Sequence, residues 1–141
     1  MKVKILICGL PGSGKTYLAE KLATQLKCAW YNADELRKMA NDWDFSRSGR
    51  IRQSHRMKTI ADFERQNSRT VICDFVCPTV ETRNIFDPDF IVWMDTVSTS
   101  RFDDTNKVFV PVSDAHVRVT SWLTDLEVED LANRIKKEIV V

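Results

Sequence analysis

The sequence lacks any long hydrophobic run. Its first apolar stretch, Val3 to Cys8, falls far short of the roughly 20 residues of a membrane span and of a secretory leader's apolar segment. A cytoplasmic protein with no membrane partner is expected. Charge of one sign is lacking too, since 21 Lys and Arg against 20 Asp and Glu leave a net charge of +1. That balance gives no global attraction for nucleic acid, and any such contact would have to be local. Cys8, Cys28, Cys73 and Cys77 form no C-x-x-C pair. Two of them sit inside apolar strand-like runs, which points to buried free thiols rather than disulfides or a zinc site. There is no internal repeat and no low-complexity tract. At 141 residues, the chain can form one core burying about two-thirds of its unfolded surface and is too short for two full domains. Residues 1–141 are therefore expected to form a single domain.

What the chain does contain is Gly9-Leu10-Pro11-Gly12-Ser13-Gly14-Lys15-Thr16, directly after the Val3 to Cys8 run. This matches G-x-x-x-x-G-K-[ST] in the strand-then-helix setting of a P-loop. The glycines let the backbone turn tightly and aim successive N–H groups at phosphate oxygens, and the following helix directs its positive end at the same anion. Gly9, Pro11, Gly12, Ser13, Gly14, Lys15, Thr16 and Tyr17 are read as the phosphate-binding segment for ATP. Lys15 would act catalytically at the β- and γ-phosphates, and the Thr16 hydroxyl would ligate Mg2+. No base-specific donor motif separates ATP from GTP.

Apolar strand-like runs alternate with helix-periodic segments, the pattern of a mainly parallel sheet covered on both faces. Strands are expected at Lys4 to Cys8, Cys28 to Tyr31, Thr70 to Cys73, Phe90 to Met94 and His116 to Thr120. The first helix carries the stripe Leu18, Ala19, Leu22, Ala23 and Leu26. A short helix follows at about Ala33 to Ala40, then a longer one at about Ser48 to Arg65. The last helix opens on the capping-box pair Thr124 and Glu127 and buries Val128, Leu131, Ala132, Ile135 and Ile139. Prolines 78, 88 and 111 fall in connections. The expected fold is a five-stranded α/β sandwich of three layers, with ligands at the carboxyl ends of the strands, where Gly9, Asn32, Asp34, Asp74 and Asp95 fall.

Asp34 could orient Mg2+ or accept a proton from an attacking hydroxyl, or could simply cap the helix it precedes. In the long helix, Met57, Ile60 and Ala61 define an inward stripe, and steps of three and four residues place Gln53 and Arg50 on it. An inward Arg is costly unless it meets an anion, so these two are ligand candidates. Arg52, Arg56 and Lys58 read as surface charge. Asp74 ends an apolar run in the manner of a Walker B carboxylate near the metal, directly or through water. Phe75 could stack on a base or belong to the core. Lys107, in a polar stretch after the fourth strand, could close over the transferred phosphate or be an ordinary surface lysine.

These residues occur in an order that resembles the adenylylsulfate (APS) kinase family across nearly the whole chain. The P-loop is similar to that family's G-L-x-G-x-G-K-[ST], and Asn32-Ala33-Asp34-Glu35-Leu36-Arg37 resembles its D-G-D-N-x-R segment at the second Asp and the Arg. Phe45-Ser46-Arg47-Ser48-Gly49-Arg50, continuing to Gln53 and Arg56, resembles F-S-x-x-D-R-x-x-N-x-x-R, and Phe75-Val76-Cys77-Pro78, with Arg83 beyond, resembles F-[IV]-S-P. The resemblance implies ATP- and Mg2+-dependent phosphorylation of the 3′-hydroxyl of adenosine 5′-phosphosulfate, a small-molecule acceptor. It implies that Arg37, Arg50 and Gln53 hold that acceptor and that Phe75 stacks on its adenine. Phe45, Val76, Cys77 and Lys107 would complete the pocket, and Asp34 would serve the hydroxyl and the metal. The chain departs from the pattern at Asn32, Gln53 and Cys77. The family's lid motif is only loosely echoed by Asp104 to Phe109, with the lysine displaced by one place, and no arginine-bearing lid extension is evident. A kinase of a nucleoside, nucleotide or modified nucleic-acid base and a non-catalytic nucleotide-binding module are the other readings. The sequence is silent on assembly, and a homodimer stays open.

Overall fold

The structure is a computed structural model that describes residues 2–139, without the side chain of Ile139. The expected burial of Ile139 thus lies outside the described residues. Strands β1 (Lys4–Gly9), β2 (Ala29–Asn32), β3 (Val71–Asp74), β4 (Phe90–Met94) and β5 (Val117–Val119) form one sheet in the order β2-β3-β1-β4-β5. Every pairing in it is parallel. Six helices accompany it among the described residues: α1 (Lys15–Leu26), α2 (Ala33–Ala40), α3 (Arg47–Gln66), α4 (Val80–Phe86), α5 (Asp103–Val108) and α6 (Asp125–Ile139).

Side chains alternate across the sheet and so feed two cores. Ile5 and Ile7 of β1 pack with Leu18 and Leu22 of α1 and with Val128, Leu131 and Ile135 of α6. Leu6 and Cys8 face the other way, against Met57 and Ala61 of α3, Phe86 of α4 and Ala33 of α2. Period-two strands covered on both faces give the three-layer α/β sandwich that the hydrophobic pattern predicts. The capping box of α6 is present, with Glu127 N–H donating to Thr124 Oγ1 at 3.2 Å and Thr124 N–H to a Glu127 carboxylate oxygen at 3.0 Å.

Two helices have no counterpart in the sequence reading. Helix α4 is short and lies between Pro78 and Pro88, and a Thr79–Thr82 capping box opens it. Helix α5 is six residues, DDTNKV, with only Thr105 buried. It carries no apolar stripe to betray it, so the polar stretch after β4 is a helix rather than a loop. All four cysteines are free, and burial pushes the Cys8 thiol up to about 12.

The sheet also holds a charged residue that no hydrophobic pattern would place there. Lys4 is 0% exposed. Its ammonium donates to Asp62 of α3 at 2.8 Å and sits 5.0 Å from the centre of the Phe86 ring, while its backbone N–H donates to Asp89. At the other end of β1, Gly9 leaves the strand at φ +154°, and a Cβ there would stand 2.5 Å from the Met94 carbonyl oxygen. The chain thus has room to turn into the next loop only because residue 9 has no side chain.

Candidate active site

The carboxyl ends of β1, β2 and β3 and the loops that follow β3, β4 and β5 surround one cleft of about 750 Å³. At one end lies the glycine loop, whose turn is closed by Ser13 N–H donating to the Leu10 carbonyl. Gly12 and Gly14 adopt positive φ, +83° and +97°, conformations that side-chain-bearing residues rarely adopt. Gly9 and Ser13, expected in the phosphate-binding segment, are not among the residues lining the cleft, Ser13 being fully buried, and Thr96 Oγ1 donates to the Ser13 carbonyl at 2.7 Å. Pro11, Gly12, Gly14, Lys15, Thr16 and Tyr17 line the cleft. Lys15 Nζ donates to the Leu10 carbonyl at 3.0 Å. Burial lowers the affinity of that ammonium for its proton, and the carboxylates of Asp74 and Asp34 oppose the shift.

Beneath the loop is a small polar network. The Asp74 carboxylate, 1% exposed, accepts from Thr16 Oγ1 at 3.0 Å, Trp30 Nε1 at 2.7 Å and Asn32 Nδ2 at 3.1 Å. Burial raises its pKa, and these three donors together with Lys15 pull it back. The carboxylate that position 32 lacks is thus matched by one on β3, to which Asn32 donates. Asn32 is also the N-cap of α2, its side-chain oxygen accepting from Glu35 N–H. Asp34 is therefore not the cap. It is exposed within the first turn, lines the cleft and makes no side-chain hydrogen bond among the described residues.

The opposite end of the cleft brings together Arg37, Phe45, Arg50, Gln53, Phe75, Val76 and Cys77. Arg37 is 4% exposed. Its guanidinium donates to the carbonyls of Asp42 and Asp44 and lies 4.3 Å from the centre of the Phe45 ring. Desolvation lowers its pKa, and Asp42 counters that. Arg50 donates to the Phe45 carbonyl at 2.7 Å and to Thr105 Oγ1 on α5 at 3.0 Å. It joins α3 to the segment after β4. Gln53 is buried, donating to the Ala33 carbonyl at 3.0 Å and accepting from Arg56. Phe75 is also buried and meets Phe86 edge-on, so it belongs to the core while contributing to the cleft wall. Cys77 is buried at φ +45°. Arg83, likewise buried, fixes this loop by donating to the Cys77, Pro78 and Val110 carbonyls.

Some residues stand where the sequence did not suggest. Lys107 is exposed on α5 and is not among the residues lining the cleft; the cation that lines it from this segment is Arg101, beside Phe102 and Asp104. Arg52 is exposed, as expected of surface charge, and Arg56 half-buried, but both donate to the Asp42 carboxylate, at 2.7 and 2.8 Å. They hold that carboxyl far below the usual range. Asp95 is occupied by Arg118. Sequence reasoning missed Trp43 and Trp122, both of which line the cleft. Trp122 lies over the glycine loop, where a Cβ on Gly14 would meet its ring at 3.0 Å, and it contacts Tyr17 with ring centres 5.0 Å apart. Its place just past β5, at a strand's carboxyl end, was the available signal.

The donor set suits Mg2+, which takes hard oxygen ligands and retains several waters. One hydroxyl and one carboxylate, Thr16 and Asp74, lie in hydrogen-bond contact at the loop. No group of three or more His, Cys, Asp or Glu that could hold a metal by themselves occurs among the described residues.

The chain is similar to several known proteins. The probable adenylyl-sulfate kinase of Aeropyrum pernix is 35% identical over 92 residues, 59% of this chain and 49% of the kinase. The chain thus spans about half the length of that curated relative. Among solved structures, the Mycobacterium tuberculosis APS kinase in complex with AMPPNP and APS superposes with a TM-score of 0.78 at 18% identity, over 99% of both chains. The shikimate kinase of Aquifex aeolicus does so at 0.67 and 17% identity, over 96% of this chain and 98% of its own. These likenesses show the fold of P-loop kinases. The family model described as an AAA domain matches residues 5–103, a span running from β1 through the glycine loop to the start of α5, and the chain belongs to that family.

Proposed function

We propose that the chain is an ATP-dependent phosphotransferase whose acceptor is adenosine 5′-phosphosulfate, phosphorylated at its 3′-hydroxyl. The observation that carries this reading is the composition of the cleft. A phosphate-binding loop occupies one end, two arginines and aromatic rings occupy the other, and Asp34 lines the same cavity. Backbone amides of the loop and Lys15 would hold the β- and γ-phosphates, while Trp122 offers the donor base an aromatic face. Arg37 and Arg50 would pair with the anionic end of the acceptor, and Phe45 and Phe75 would flank its ring. Asp34 would take the proton of the 3′-hydroxyl as its oxygen attacks the γ-phosphorus and the bond to the β,γ-bridging oxygen breaks. Thr16 and Asp74, with Asp34 through water, would hold Mg2+, which when bound neutralises charge on the phosphate oxygens. The acceptor motifs and the relative from Aeropyrum pernix support the choice of acceptor.

A non-catalytic role would be favoured by the missing carboxylate at position 32. Asp74 provides one beside Thr16, which favours catalysis. The test is to mix the protein with ATP, Mg2+ and a panel of adenosine 5′-phosphosulfate, nucleosides, nucleoside monophosphates and single-stranded DNA. ADP release is followed by a coupled assay and products by chromatography. A 3′-phosphorylated product from adenosine 5′-phosphosulfate is expected; consumption of another acceptor in its place would reject the assignment.

A further inference from the structure

Trp43 lines the cleft and is 51% exposed, and its side chain has no hydrogen-bond, ring or cation partner among the described residues. A lone exposed aromatic signals little, since single apolar side chains are common on protein surfaces. What sets this one apart is how firmly the backbone on either side of it is held. Arg37 of α2 donates to the carbonyls of both Asp42 and Asp44. From α3, Arg52 grips the Asp42 carboxylate through two hydrogen bonds, at 2.7 and 2.9 Å, and Arg56 adds a third at 2.8 Å. The Asp44 carboxylate accepts from Ser46 N–H at 2.9 Å, and a Cβ on Gly49 would stand 2.1 Å from the Asp44 carbonyl oxygen, so the start of α3 packs directly on this segment. Three arginines from two helices thus fix the residues that flank a half-exposed indole.

Its neighbours in the cleft define what the indole could meet. Two residues on, the Phe45 ring centre lies 4.3 Å from the Arg37 guanidinium and 5.8 Å from that of Arg50, so the cationic and aromatic groups at this end adjoin. Phe75 is 6% exposed and packed edge-on against Phe86, and Phe45 already carries a guanidinium. Trp43 is the aromatic of this group whose ring no other side chain claims. A cation pair beside an open indole suits one molecule that carries both an anion and a flat ring. Because the segment is fixed before anything binds, little entropy is lost when a ring settles on it. We propose that Trp43 receives the acceptor's heteroaromatic ring, stacking on its face while Arg37 and Arg50 hold the anionic end. This deepens the function proposed above and rests on the acceptor being adenosine 5′-phosphosulfate.

Wild type, Trp43→Leu and Trp43→Phe are titrated calorimetrically with adenosine 5′-phosphosulfate in the presence of ADP and Mg2+, and separately with ATP. Thermal unfolding of all three is followed without ligand. Trp43→Leu should bind adenosine 5′-phosphosulfate about five- to a hundredfold more weakly than wild type, and Trp43→Phe, which keeps an aromatic face, should stay within about threefold. Affinity for ATP should be the same in all three. Their unfolding midpoints should agree within about 3 °C, because the indole is already half in water. Unchanged affinity in Trp43→Leu, an equal loss in both variants, a matching loss for ATP, or a midpoint lowered by more than that margin would each overturn the role of Trp43 while leaving the acceptor assignment standing. Failure of wild type to bind adenosine 5′-phosphosulfate would overturn both.

Discussion

Asp62→Asn should damage this protein far more than Lys4→Met, although the two residues are partners in one ion pair. In Asp62→Asn the ammonium of Lys4, which is 0% exposed, keeps only a neutral amide and the face of Phe86. Removing one member of a buried pair costs about 3–5 kcal/mol. The Asp62 side chain retains 21% exposure, so water screens part of the interaction, and the lower end, about 3 kcal/mol, is expected. For a chain of this size that is a drop of about 10 °C in Tm. Lys4→Met removes the buried charge itself. Asp62 keeps Lys58 and, at 3.7 Å, Arg65, so no carboxylate is stranded and the change should stay within about 1 kcal/mol. The effect of pH follows. Burial raises the Asp62 carboxyl, but Lys4 and Lys58 outweigh it and hold the group below its ordinary value. Its contribution is then complete above the unfolded value near 3.9 and is lost as pH falls through the folded one, so wild type and Asp62→Asn should converge in acid. Urea unfolding at pH 7 and pH 3 measures both effects. Equal losses from the two substitutions at pH 7 would refute the asymmetry and place the cost in packing instead of charge.

At the cleft, Lys15→Ala should unfold close to the wild-type temperature yet transfer phosphate about a thousandfold more slowly; a variant keeping a tenth of wild-type turnover would remove Lys15 from its assigned role. Because Asn32 is the cap of α2, Asp34→Asn should leave Tm unchanged and lower kcat by about a hundredfold or more with little effect on ATP binding, measured by steady-state kinetics; an unaltered kcat would point to another base. Arg50→Ala should raise KM for the acceptor about ten- to a hundredfold with KM for ATP nearly constant, whereas Lys107→Ala, outside the cleft lining, should change neither; equal effects would mean that the acceptor does not reach α3.

The sheet and the glycine loop were legible because their signals are local. An apolar run such as Val71 to Cys73 can be little but a buried strand, and Gly9 to Thr16 declares its ligand by spacing. Parts of the site depend on contacts between distant segments and left no such trace. The resemblance implies that Arg37 holds the acceptor, but the loop at residues 41–46 folds back and occupies part of its guanidinium. The roles of Asn32 and Asp34 were blurred because either can cap a helix, and only backbone geometry separates them. In the long helix Met57 and Ala61 are buried and Gln53 lies inward with them, whereas Ile60, expected on the same stripe, is only half-buried.

Trp43 and Trp122, 51% and 52% exposed, stand in the same cleft beside its two kinds of partner, one near the acceptor arginines and the other over the glycine loop. The molecule therefore has an optical label for each. Trp93 lies beside Phe109 and Arg118, away from the cleft lining, and forms a background that can be subtracted by substitution, whereas Trp30, fixed on Asp74, is kept in every variant. A chain retaining Trp122 should dim or brighten with nucleotide, and one retaining Trp43 with acceptor. The order in which two substrates arrive could then be followed as two separable signals, without attaching a dye.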